Sequence, residues 1–260
     1  MNFKMKAIVA AIALTASMSA SAAMELATPA GHSSLILTVL DTTAGVSATF
    51  DLGYNKDTFS QTTNNSWNLS TGNYASAWTS FWNTATAANT QYAVYAGDNL
   101  GGVVAGDKSI FTTAGVAVLP TTGNAPLGNQ QTAFDLYITA SNLLGNHGTV
   151  ADGASFADAV TGGNAYAGKG VAYSTSGKIG GAGGDTNGLI GTDLNVWNIV
   201  RATGLNATTT KLSVGAINPA FNLATTGALT YTAAVVPEAN TWAMMLAGLG
   251  LLGFVARRRS

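Results

Sequence analysis

From Trp242 to Ala256 the chain holds no charged residue, and the next three residues are Arg257, Arg258 and Arg259. A helix over residues 242–256 is shorter than the ~20 residues that cross a hydrocarbon core comfortably, but it suits a thin or locally thinned bilayer. Trp242 stands at one edge, where an indole favours the headgroup layer, and the arginines at the other edge stay cytoplasmic. Gly248, Gly250 and Gly253 are frequent inside membrane helices and uncommon inside soluble ones. A buried core helix is the alternative, yet an arginine triplet directly after the apolar run fits a membrane edge better. The body must then fold on the side of the membrane opposite the arginines.

The first residues agree with that topology. Lys4 and Lys6 give a positive start, residues 7–18 form a short uncharged apolar run, and Ala20-Ser21-Ala22 supply small residues for a signal peptidase. Residues 1–23 are therefore expected to be a secretory signal peptide, cut after Ala22 or Ala23, leaving residues 24–234 as the exported body.

Just before the apolar run stand Val236, Pro237 and Glu238. Together with the uncharged stretch and the terminal arginines, residues 235–260 resemble the PEP-CTERM protein-sorting domain of Gram-negative bacteria. Ala239 occupies the position where that family usually has a second proline. The resemblance implies an exosortase as partner, recognition in the inner membrane, cleavage near Pro237-Glu238, and passage to the cell surface or the extracellular space. It also implies an association with exopolysaccharide and biofilm matrix. In this picture Arg257, Arg258 and Arg259 set topology, and the catalytic residues belong to the exosortase. The body segments SSLILTVLDTTAGVSATFDLGYN and ANTQYAVYAGDN resemble other proteins with this tail, which implies no activity.

The overall charge of −1 hides a split, because the body carries six basic residues against eleven acidic ones, net −5. That balance argues against nucleic acid as a partner, which requires clustered positive charge. Charged residues make up only 9 % of the chain, so hydration of the body must rest on Thr, Ser, Asn and Gly. There is no cysteine, which removes disulfides, thiol catalysis and cysteine metal sites, and leaves stability to the apolar core.

Residues 35–40 (LILTVL) read as a buried strand and residues 46–50 alternate as a second, joined by a hairpin at 41–45. Residues 60–71 read as a loop. Tyr74, Trp78, Phe81 and Trp82 recur at helical spacing, and residues 131–146 fit a second helix with Gly145-Asn146 as its stop. Residues 91–96, 110–119, 194–200, 211–217 and 228–236 read as strands, with a glycine-rich loop across 162–191. The expected fold is mostly β, a sandwich-like exported domain with two short helices.

Candidate chemistry is sparse. His32 and His147 lack the partners of a metal or catalytic histidine, and His147 reads as a turn residue. Gly163–Lys169 has P-loop spacing, but Gly170 stands where the magnesium-binding hydroxyl belongs. Gly153-Ala154-Ser155-Phe156-Ala157 approaches a nucleophile elbow without its second glycine. Asp185, Asn187 and Asp193 are a weak calcium candidate, because hard cations take carboxylate and amide oxygens. Trp67 lies outside the aromatic helix and is the candidate for stacking on a sugar. No cofactor is expected. The leading expectation is a non-enzymatic, exosortase-sorted surface or matrix protein. The alternative is a secreted carbohydrate-binding module.

Overall fold

The computed structural model describes residues 23–28, 31–119, 121–169, 186–213 and 218–234. The expected signal peptide, residues 1–23, apart from Ala23, and the whole sorting segment, including the helix expected at 242–256, lie outside the described residues. Within them, eleven strands form one antiparallel sheet. They are β1 (Ser34–Asp41), β2 (Val46–Asn55), β3 (Asn65–Asn68), β4 (Gln91–Asn99), β5 (Lys108–Ala114), β6 (Ala154–Asp158), β7 (Gly188–Leu189), β8 (Asp193–Val200), β9 (Thr208–Lys211), β10 (Ala220–Leu223) and β11 (Ala228–Thr232). The main path runs β3-β11-β10-β8-β5-β4-β1-β2-β6, with β7 beside β4 and β9 beside β8. Two helices, α1 (Ala75–Trp82) and α2 (Asn124–Asn142), complete the body.

The mostly-β expectation holds, but the two-sheet sandwich is replaced by one curled sheet. Continuous ladders from β4 to β5 and from β5 to β8 join what a sandwich would separate. The curl brings β3, at one end of the order, against β2, next to the other end. There the Trp67 indole N–H donates to the Leu52 carbonyl at 3.0 Å, and Tyr54 O–H donates to Asn65 at 3.1 Å. Helix α1 helps close the remaining seam. Trp78 packs edge-on against Phe50 of β2 and lies against the β10–β11 turn, where a Cβ on Gly227 would sit 3.2 Å from the indole.

Alternation along the strands now acquires two buried destinations. Leu35, Leu37 and Val39 of β1 point into the curl with Val46, Ala48, Phe50 and Leu52 of β2. Ile36 and Leu40 point outward, under Phe134, Tyr137 and Ile138 of α2. This double cover explains why the LILTVL run is aliphatic at every position but Thr38. Phe59, in the loop after β2, fills the interior, with its ring centroid 4.9 Å from Tyr231, 5.7 Å from Phe111 and 5.8 Å from Phe221.

Helix α2 begins well before the expected 131 and ends before 146. Pro126 falls in its first turn, where a missing N–H costs nothing. Strand β5 ends at Ala114 rather than 119, and β9 lies mostly before the expected 211–217, of which 214–217 are outside the described residues.

The registers direct both ends of the body toward one rim. Asn99 pairs with Lys108, Ser109 with Val200, and Val200 with Thr208, while Ser34 pairs with Asn55. Strand β11 runs toward the same rim, because Thr232 pairs with Ala220 and Ala220 with Asn195, two residues beyond the Asp193 end of β8. The Asp41–Val46 hairpin and the β10–β11 turn form the far rim. Replacing Phe59 by Ala is expected to cost ~3–5 kcal/mol, as for other buried aromatic truncations. Urea unfolding followed by tryptophan fluorescence checks this; a loss under ~1 kcal/mol would show that the ring does not fill the curl.

Candidate functional site

On the outer face of β1, β2 and β6 the sequence places polar side chains where an open sheet would meet water. Pairing sets Thr38 opposite Thr49, and Thr49 opposite Ser155. Helix α2 covers them. The Tyr137 hydroxyl lies 2.5 Å from Thr49 Oγ1 and 3.2 Å from Thr38 Oγ1, which in turn lies 2.7 Å from the Tyr95 hydroxyl. All four are buried, so these hydroxyls satisfy one another in place of water.

His147 closes this layer beyond the end of α2. It lies in the turn expected there, and its side chain is fully buried. Its Nε2 lies 3.2 Å from Ser155 Oγ, while Nδ1 has no hydrogen-bond partner among the described residues. Burial pushes its pKa down to about 4, against a smaller opposing effect of the Thr49 backbone. Gly153 allows the close approach, because a Cβ there would fall 2.6 Å from His147 Cα. Ser155 and His147 thus form a hydroxyl–imidazole pair whose two side chains are buried.

Asp51 is the second buried titratable group of this face. Gly153 accepts from its backbone N–H at 2.9 Å, which ties it to the same β2–β6 edge. The carboxylate accepts from Gly53 N–H at 3.0 Å and from the Ser34 hydroxyl at 3.3 Å. Burial nevertheless pushes its pKa up to about 7, with smaller contributions from the charges of Asp152 and Glu25. A cavity of about 200 Å³ opens beside it, lined by Glu25, Ser34, Asp51, Tyr54, Asn55 and Thr58.

A larger groove of about 380 Å³ runs between α1 and β6. Asn73, Ser76, Ser80, Asn146 and Phe156 line it. Gly45 accepts from Ala159 N–H and Gly153 from Asp51 N–H, so by antiparallel alternation the N–H and C=O of Phe156 turn toward the groove. The wall is therefore neutral, rich in hydroxyl, amide and backbone groups, with one half-buried ring.

The other sequence candidates separate. Trp67 lies on β3, half-buried, stacked on Phe221 at 6.3 Å and edge-on to Tyr54 at 6.2 Å. Asp185 is outside the described residues. Asn187 donates to Gln91, and the Asp193 carboxylate accepts from Asn222 at 2.7 Å. Among the described residues no three His, Cys, Asp or Glu side chains group as a metal site. His32 Nδ1 sits 3.4 Å from Asp57. Val236, Pro237, Glu238, Arg257, Arg258 and Arg259 are outside the described residues.

Compared with known proteins, residues 235–259 match the family model of the PEP-CTERM protein-sorting motif. The chain is a PEP-CTERM protein in that sense: it carries this exosortase-directed export signal. No curated protein and no solved structure matches it.

The two buried groups oppose each other in linkage. Asp51, with its folded pKa raised, weakens the fold as pH rises from about 4 to about 7, by up to ~4 kcal/mol. His147, with its folded pKa lowered, weakens it as pH falls from 6.5 to about 4, by up to ~3 kcal/mol. Between these limits the folded and unfolded chains bind equal numbers of protons at the pair, so the two slopes cancel. Asp51→Asn should leave a stability that rises with pH across this window, and His147→Gln one that falls. Urea midpoints at about pH 4.5 and about pH 6.5 measure both slopes; the same slope in both variants would contradict the assignment.

Proposed function

We propose that this chain is a non-enzymatic cargo of the exosortase pathway, a surface or extracellular-matrix protein of the exopolysaccharide layer. The sorting motif at residues 235–259 carries the reading. On this reading a signal peptidase removes residues 1–23, and residues 242–256 hold an inner-membrane intermediate with Arg257, Arg258 and Arg259 on the cytoplasmic side. An exosortase then reads Val236, Pro237 and Glu238, and the body passes outward.

The physical character of the body supports a structural role outside the cell. It has no disulfide to lose, few charges, and a core in which the His147 side chain is fully buried. Its net charge of −5 gives no electrostatic attraction to nucleic acid.

Deleting residues 237–260 should remove recognition by the exosortase while leaving the body intact. In a host with an exosortase, fractionation is expected to show the truncated protein redistributed relative to the full chain. Glu238→Ala is expected to accumulate in the inner membrane. Unchanged distribution of both variants would overturn the reading.

The groove between α1 and β6 favours one second reading, a carbohydrate-binding module. Its size lies at the low end of small-ligand sites, and its neutral donors and acceptors beside a ring suit a saccharide. Trp67 does not supply the platform, since its faces are taken by Phe221 and Tyr54. Retardation of the full chain on affinity gels of the host's exopolysaccharide, abolished by Phe156→Ala with Ser76→Ala, would support it. Equal migration on gels with and without polymer would exclude it.

A further inference from the structure

We propose that the rim toward which β11 runs is a lipid-facing surface, and that Leu100, Val103, Val104 and Leu205 rest on the membrane while the sorting segment is still attached. The inference builds on reading residues 242–256 as a membrane span.

Chain reach is the first argument. The last described residue is Ala234, just beyond β11, and only residues 235–241 separate it from Trp242. Seven residues reach at most ~25 Å even when fully extended. β11 stops level with Asn195 of β8, short of Val200, and points at that rim, so the short tether turns the rim toward the headgroups. The body's first residues are fixed to the same rim, where Asn99 N–H donates to Ala27 and Ser34 N–H to Glu25.

What this rim presents is the second argument. The β4–β5 hairpin tip is LGGVVAGD, residues 100–107. Leu100, Val103 and Val104 are 60 %, 76 % and 65 % exposed within five residues of chain, and Leu205 on the adjacent β8–β9 loop is 90 % exposed. The two loops touch, since Arg201 Nε donates to the Val103 carbonyl at 2.9 Å and Gly106 N–H to the Arg201 carbonyl. Isolated exposed aliphatics are ordinary, but several on adjoining loop tips at a tethered end make a contact surface. Charge does not oppose it. These loops carry only Asp107, whose carboxylate accepts from Val104 N–H at 2.8 Å, and Arg201, which suits an anionic headgroup. A partner protein would need no such proximity to the span, so lipid is the occupant the tether favours.

The chain has no cysteine, so Val104→Cys and Val160→Cys in the full-length protein each accept one environment-sensitive thiol fluorophore. Val160, 92 % exposed, follows β6 at the far rim, where Val46 pairs with Asp158. Both proteins are reconstituted into phosphatidylethanolamine–phosphatidylglycerol vesicles containing a lipid with a nitroxide headgroup. The chain is expected to float with the vesicles, and the label at 104 to be quenched several-fold more than the label at 160. Adding Val103→Ser and Leu205→Ser should bring quenching at 104 down to the level at 160. Equal quenching in a chain that floats overturns the lipid-facing rim while leaving the span intact. A label at 104 that is blue-shifted but unquenched marks a second copy or another protein there, and also overturns it. A chain that does not float overturns the span and the rim proposal together.

Discussion

Leu35, Leu37 and Val39 point into the curled sheet while Ile36, Thr38 and Leu40 point under α2, and every residue of β1 is buried. The rest of the body is arranged around that strand. Its two neighbours, β2 and β4, extend the sheet on either side and share both covers. Each fully buried aliphatic side chain on such a strand contributes ~1.5–3 kcal/mol relative to exposure. A body without disulfides depends on this source of stability. The interior of the curl then needs large side chains, and Phe50, Phe59, Phe221 and Tyr231 supply them.

Covering both faces of the sheet forces polar groups inside. Tyr74 and Tyr92 each send a hydroxyl to a backbone carbonyl at 2.6 Å, and Tyr137 bonds the threonines of β1 and β2. Asp51 and His147 are also buried, and they carry opposite pKa shifts. An exported protein meets external pH without cytoplasmic buffering, and a compensated pair keeps its fold level across the mildly acidic range.

Legibility in the sequence followed the length and polarity of each segment. The β1–β2 hairpin was readable because a six-residue apolar run, a turn and an alternating strand stand in order. The aromatic helix was readable from Tyr74, Trp78, Phe81 and Trp82. Strands β3 and β10 were not, because NSWN and AFNL are short, half polar, and held in place by β11 and β8 rather than by propensity. The start of α2 was hidden by Pro126 and Gly128, which read as loop until tertiary packing against the sheet outweighs them. Local pattern states which residues alternate but not how far a sheet curls, so two sheets were expected where one closes on itself. The turn at His147 was legible from the Gly-Asn stop, but its burial was not, since that stop says nothing of what later packs over it. The sorting tail was legible without any fold, because its order of motif, apolar run and arginines is itself the signal.

The body and the tail have separate physical logics, one of burial and one of transit. Their junction lies just beyond β11, where Ala233 N–H still donates to Asn64 at 2.8 Å. A cut near Pro237-Glu238 leaves every described strand of the sheet in the body. The most direct test of the account is the intact mass of the exported protein recovered from a host with an exosortase. The account predicts a species beginning at Ala23 or Met24, ending near Glu238, and lacking the terminal arginines. A recovered protein that still carries Arg257, Arg258 and Arg259 would contradict it.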